Sequence, residues 1–142
     1  MIAATAVVLI AVFVLLASVH LYWALGGRIA LVSAIPEVGG KPSFRPGAAL
    51  TFAVAFALFG CALLMAAMAG FVKVPGTQTV LRWCAFALAL MLLLRAIGDF
   101  RLVGFFKRVH GTRFSRLDSA FYSPLCLGLA AGVFTVAWQG GR

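Results

Sequence analysis

The sequence predicts an all-α integral membrane protein, a single transmembrane domain of four helices in up-down topology, on three observations. Of the 142 residues, 64% are hydrophobic and only 11% are charged, which lies far outside the range of soluble domains. Four apolar segments each approach the length, about 20 residues, that a helix needs to cross about 30 Å of hydrocarbon. Most basic residues fall between these segments, as expected when charges are confined to loops and helix ends.

The first two predicted spans are bounded by helix-ending residues. The first covers about residues 2–25 and stops at Gly26, since glycine suits the left-handed turn that ends helices. No Lys or Arg precedes it, so we expect a retained span rather than a cleaved signal. The second covers about residues 48–72, entered just after Pro46 and left through Pro75, following the positional preferences of proline.

The last two predicted spans differ in how they end and begin. The third covers about residues 79–97 and is followed by an amphipathic basic segment, about 99–110, whose apolar residues recur at helical spacing. An unbroken helix through both would be about 48 Å long at 1.5 Å per residue, so part of it is expected to project or to lie at the interface. The fourth covers about residues 119–139, and Ser115 and Asp118 resemble a capping box before it.

Orientation follows from the distribution of the basic residues. The loops after the first and third spans share a side and hold Arg28, Lys41, Arg45, Arg101, Lys107, Arg108, Arg113 and Arg116, with Arg95 at their edge. The other side holds only Lys73, Arg82 and Arg142. By the positive-inside rule, both rich loops are predicted to be cytoplasmic and both termini to face outward, in a bacterial inner (cytoplasmic) membrane.

All four spans place polar groups at this predicted cytoplasmic end, with Thr51 opening the second. The candidate ligand-binding residues are His20, Trp23, Arg95, Asp99, Arg101, Asp118, Tyr122 and Ser123. Ionisable residues within a membrane are costly and usually face the bundle interior, which makes each a site hypothesis by default. Arg95 and Asp99 are spaced i,i+4 and are expected to share a helix face, and Asp118 and Tyr122 stand in the same relation.

A purely structural reading stays open beside the functional one. Asp118 would then only complete the capping box, and Arg95 would extend outward to lipid headgroups. His20 would satisfy a backbone carbonyl, or donate to Asp99 or Asp118. Aromatic residues such as Trp23 are common at helix ends for their interfacial preference alone. The cluster is therefore either a ligand site or a clamp that fixes the helices.

Several function classes are disfavoured. The middle of each span lacks strongly polar side chains, which argues against a water-filled pore. The three cysteines stand singly, so neither a disulfide centre nor a zinc site is indicated, and no cofactor is predicted. The basic residues belong to no nucleic-acid module, so nucleic acid is not an expected partner. Gly128-x-x-x-Gly132 permits close helix approach.

Three stretches resemble a bacterial membrane family known as domain of unknown function 3995. They are His20-x-x-Trp23-Ala24-Leu25-Gly26-Gly27, the run from Arg95 to Lys107, and Phe114-x-x-x-Asp118 with Tyr122-Ser123-Pro124. The likeness spans nearly the whole chain. It implies a four-span membrane protein but supplies no activity.

Three functions remain open. The first is binding or transport of a small polar or anionic ligand, or a lipid headgroup, through the polar end. The second is an accessory subunit of a larger membrane complex. An interfacial enzyme using His20 as acid–base with Asp99 or Asp118 ranks last, because no nucleophile motif accompanies it. Expected partners are the bilayer with its anionic lipids and a homo-oligomer or larger membrane complex.

Overall fold

A computed structural model of the protein describes residues 2–74 and 78–140. Its helices are α1 Ile2–Ala24, α2 Leu31–Ala34, α3 Ala48–Met68, α4 Gln78–Ile97, α5 Arg113–Leu117, a π-helical turn Asp118–Tyr122, and α6 Ser123–Gln139. A short antiparallel pair, β1 Glu37–Val38 and β2 Lys41–Pro42, lies between α2 and α3. Four helical stretches are long and apolar enough to cross a membrane: Ile2–Ala24, Ala48–Met68, Gln78–Ile97 and Arg113–Gln139.

The long helices form a bundle in which α1 packs mainly on α3, and α4 mainly on α6. The two pairs meet through α1 with α6 and α3 with α4. Phe13, Met65 and Val133 are fully buried in a core made of apolar side chains. Because such packing excludes water, the described core offers no polar route through the bundle.

Only one glycine of the predicted close-approach motif packs against another helix. A Cβ built on Gly132 would lie 3.0 Å from Leu9, whereas one on Gly128 would meet no atom within 4 Å. Gly132 thus permits the α1–α6 contact, and Gly128 faces away from the bundle.

The first two long helices both end at a glycine. Gly26 has φ 98°, and the Gly27 amide donates to the Tyr22 carbonyl at 2.9 Å, the bond that closes a helix C-terminus. In α3 the same arrangement occurs at Gly70, so the helix ends at Met68 rather than near residue 72. The predicted exit through Pro75 lies outside the described residues.

The third span ends where the sequence predicts, but the amphipathic segment after it, about 99–110, is not helical. Helix α4 ends at Ile97, and residues 98–112 form bends and turns. Gly98 has φ 95°, and a Cβ there would overlap the Val103 carbonyl oxygen, so the chain folds back on the helix end. The Phe105 amide then donates to the Ala96 carbonyl at 2.9 Å. This fold-back satisfies a helix carbonyl and positions the polar residues that follow.

The predicted capping box before the fourth span is also wrong. The helix begins earlier, at Arg113, where the Thr112 hydroxyl accepts from the Ser115 amide at 3.0 Å. Asp118 instead begins the π-helical turn, and the Ser123 amide donates to its carbonyl. Pro124 follows directly and has no amide hydrogen, which is consistent with a local widening of the helix at this point.

Candidate functional site

The polar end of the bundle is built around the carboxylate of Asp118, which is 0% exposed. Its Oδ1 accepts from Arg95 Nη2 at 3.0 Å. Its Oδ2 accepts from the Gly104 amide at 2.8 Å and from Lys107 Nζ at 3.0 Å. The carboxylate therefore joins α4, the 98–112 loop and the π-helical turn.

Lys107 is the functional-site residue that sequence reasoning missed. Its side chain is fully buried, and Nζ also donates to the Gly104 carbonyl at 2.9 Å and to Ser119 Oγ at 2.7 Å. All three ammonium hydrogens are thus used. Lys107 lies in the amphipathic basic segment, about 99–110, part of which the sequence predicts to project or to lie at the interface. Its only sequence signal was its place in the family-like stretch that begins at Arg95.

Two cations meet one carboxylate in this cluster, which leaves one positive charge in excess. The Arg95 side chain is 36% exposed, yet its Nη1 atom is buried without a hydrogen-bond partner. Arg95, Lys107 and Asp118 therefore form a clamp that is closed at the lysine and incomplete at the arginine.

Asp99 has a local role that the predicted pairing with Arg95 did not anticipate. It lies beyond the end of α4, and its Oδ1 accepts from the amides of Arg101, Leu102 and Val103 at 2.7 to 2.9 Å. Desolvation acts to raise its pKa, but the backbone amide donors outweigh it and hold the pKa of the carboxyl below its ordinary value. The Arg101 side chain is exposed, so neither residue belongs to the Asp118 clamp.

His20 and Trp23 lie at a separate cavity of about 240 Å³ between α1, α3 and the loop that joins them. His20 Nδ1 is 2.7 Å from the Leu16 carbonyl, and because a carbonyl only accepts, this nitrogen carries the hydrogen. The rings of His20 and Trp23 pack edge to face with their centroids 5.1 Å apart, and the Trp23 indole N–H donates to the Ile29 carbonyl at 2.8 Å. Thr51 also lines the cavity. The free ring nitrogen of His20 is the group available for a ligand.

Tyr122 connects the first loop to the start of the fourth span, whereas the Ser123 side chain makes no such connection within the described residues. The Tyr122 hydroxyl donates to the Ser33 carbonyl at 3.3 Å, tying the first loop to the π-helical turn. Ser123 is 0% exposed, and its hydroxyl has no hydrogen-bond partner.

The eight predicted residues therefore do not form one pocket. In residues 2–74 and 78–140, no hydrogen bond or ion pair joins His20 to Asp99 or Asp118, so the acid–base pairing considered for an enzyme is absent there. Nor do three of the His, Cys, Asp and Glu side chains in that part of the chain gather as a metal would require.

The four apolar helices and their polar end define a multi-pass membrane protein. The chain belongs to the family described as protein of unknown function (DUF3995), whose model matches residues 13–133. That range contains the whole Asp118 clamp and the His20 cavity. No curated protein and no solved structure matches the chain.

Proposed function

We propose that the protein is a bacterial inner-membrane protein that binds a small polar or anionic ligand, a lipid headgroup included, in the His20 cavity. The observation that carries this proposal is the cavity itself, whose lining includes His20, with one ring nitrogen held by the Leu16 carbonyl and the other available, and Thr51. At about 240 Å³ it is below the range of about 300–1,000 Å³ typical of drug-sized ligands, which favours a ligand of few atoms.

The charge of this end supports an anionic ligand. Nine of the twelve Lys and Arg residues lie here, against all three acidic residues, Glu37, Asp99 and Asp118. The resulting positive field raises the local concentration of anions. We place this end on the cytoplasmic side by the positive-inside rule.

In this proposal the Asp118 clamp is structural. The Asp118 carboxylate and the Lys107 ammonium are saturated by protein groups, so these two groups hold the 98–112 loop against α4 and the fourth span rather than binding a ligand. Transport would in addition require the apolar core to rearrange, and we do not propose it.

The test uses thermal unfolding in detergent with inorganic phosphate and glycerol phosphate as probes. Saturation at about 100 times Kd stabilises the folded state by about 2.7 kcal/mol. We expect this stabilisation in the wild type and its loss in His20→Phe, which keeps an aromatic ring of similar size. Ser18→Ala is the matched control, because Ser18 lies on the same helix and its hydroxyl donates only to the Val14 carbonyl of that helix. No stabilisation by either probe, or equal stabilisation in His20→Phe, would contradict the proposal.

A second candidate is an accessory subunit of a larger membrane complex, and the buried ion pairs of the clamp favour it. A paired buried cluster fixes helix register without needing a ligand. Affinity purification at native expression would then recover a constant membrane partner from wild type, and recovery of the protein alone would count against this function.

A further inference from the structure

A second polar pocket, of about 380 Å³, lies between the start of α4 and the end of α6. It is lined by Gln78, Thr79, Arg82, Trp83, Phe86 and Trp138. Arg82 is about 20 Å along α4 from Arg95, at 13 residues and 1.5 Å per residue, so this pocket is remote from the Asp118 clamp.

In residues 2–74 and 78–140, no side-chain carboxylate lies near Arg82. The only acidic residues of the protein are Glu37, Asp99 and Asp118, and all three belong to the opposite end. Arg82 Nε is buried without a hydrogen-bond partner, and the guanidinium lies 5.6 Å from the centre of the Phe86 ring. A membrane-embedded guanidinium is costly without an anionic partner, and no side-chain carboxylate of the described residues supplies one here.

An apolar groove of about 550 Å³ adjoins this pocket through Phe86, which lines both. The groove runs between α4 and α6 and includes Leu90, Leu93, Ala131 and Phe134. Leu90 and Phe134 are at least half exposed, so the groove opens to the surroundings of the bundle, which for these helices is hydrocarbon.

We propose that this face of α4 and α6 binds one anionic phospholipid, with its phosphate at Arg82 and an acyl chain in the adjoining groove. Gln78 and Thr79 supply further hydrogen bonds at headgroup level, and Trp83 provides an interfacial ring. A zwitterionic lipid would bring an ammonium group for which this end has no carboxylate. The site is independent of the His20 cavity, so either proposal can fail alone.

The experiment measures tryptophan quenching by phospholipids brominated on the acyl chain, in vesicles of phosphatidylcholine containing brominated phosphatidylglycerol. The variant Trp23→Phe serves as background, since only Trp83 and Trp138 then report. Both lipids offer a phosphate to Arg82, but phosphatidylcholine also brings a quaternary ammonium for which this end has no carboxylate side chain. We therefore expect about a tenfold preference for brominated phosphatidylglycerol over brominated phosphatidylcholine, which corresponds to about 1.4 kcal/mol. Equal quenching by the two lipids would overturn the proposal.

Two variants test the headgroup contact. Arg82→Gln should abolish the preference, whereas Lys73→Gln, the same charge change at an exposed residue on this side, should retain it. If both variants lost the preference equally, the preference would come from the overall positive charge of this side, and the proposed site at Arg82 would be overturned. An excess of inorganic phosphate should not displace the lipid, and displacement would show a phosphate site instead.

A third variant tests the acyl-chain groove without touching the charge. Ala131→Leu fills the groove and should reduce quenching, while Ala57→Leu, on a different outward-facing groove, should not. Circular dichroism and monodispersity establish that each variant is folded. A folded Ala131→Leu protein with unchanged quenching would overturn the acyl-chain assignment.

Discussion

At the scale of single residues, Asp118 is the side chain on which the polar end depends. It is fully buried and forms ion pairs with two cations from two other segments, Arg95 and Lys107. A buried ion pair contributes little beyond an apolar equivalent, but loss of one partner leaves an uncompensated charge. The cost of disrupting the clamp therefore depends on which of its members is removed.

We expect Asp118→Asn to lower the free energy of unfolding by about 3–5 kcal/mol, because it leaves the buried Lys107 ammonium without a counter-charge. Thermal or denaturant unfolding in detergent measures the change. The double variant Asp118→Asn with Lys107→Met should recover part of the loss, since the stranded charge is removed as well. A double variant less stable than Asp118→Asn would show that the ammonium is not the source of the cost. The exposed Asp99 provides the comparison, and Asp99→Asn should cost less.

At the scale of elements, the 98–112 loop is held by backbone geometry as much as by charge. The chain reverses at Gly98, and Gly104 then packs so closely on the end of α4 that a Cβ there would overlap the Ile97 carbonyl oxygen. Asp99 accepts hydrogen bonds from the amides of residues 101–103, and the Gly104 amide donates to the Asp118 carboxylate. This loop is therefore a folded cap on α4 rather than a continuation of it.

We expect Gly98→Ala to destabilise the protein more than Gly111→Ala does. Both glycines have positive φ, 95° and 86°, so each alanine pays about 1–2 kcal/mol of left-handed strain. Only the Cβ at position 98 also collides with backbone, at Val103, whereas nothing lies within 4 Å of the one at Gly111. Melting temperatures of the two variants decide the matter, and equal losses would show that the close approach at Gly98 is unimportant.

At the scale of the whole molecule, charge is separated between the two ends of an apolar bundle. All acidic residues and most basic ones lie at the end bearing the first and third loops. The opposite end carries few charged side chains, Lys73, Arg82 and Arg142, all of them basic. The two ends of the bundle therefore present chemically different surfaces, and the more basic end is the one that the positive-inside rule predicts to be cytoplasmic.

We expect the third loop to face the cytoplasm and the second to face outward. In a background without Cys61, Cys84 and Cys126, Arg108→Cys should react with a membrane-impermeant maleimide only after cell lysis. Lys73→Cys should react in intact spheroplasts, and both positions are exposed. The reverse labelling pattern would show that the predicted topology is wrong and that the His20 cavity lies on the outer side.

The sequence by itself determined the class of protein and the number of long helices. Apolar length is a local property, since each span must satisfy its own backbone in hydrocarbon, so it can be read without tertiary contacts. The same holds for the helix end at Gly26, which depends on one residue's backbone preference. The family resemblance is confirmed by the match over residues 13–133, which shows the family of the chain but assigns no activity to any residue.

Only the tertiary structure decided how the polar residues are partnered. Helical spacing placed Arg95 beside Asp99, but the reversal at Gly98 removed Asp99 from the helix and brought Lys107 to Asp118 instead. Spacing rules assume a continuous helix, and a single glycine with positive φ breaks that assumption. His20 was likewise separated from the acids, because its helix packs mainly on α3, whereas Asp99 follows the end of α4 and Asp118 lies in the fourth span. Which charges meet is a non-local property, and it follows from packing rather than from spacing.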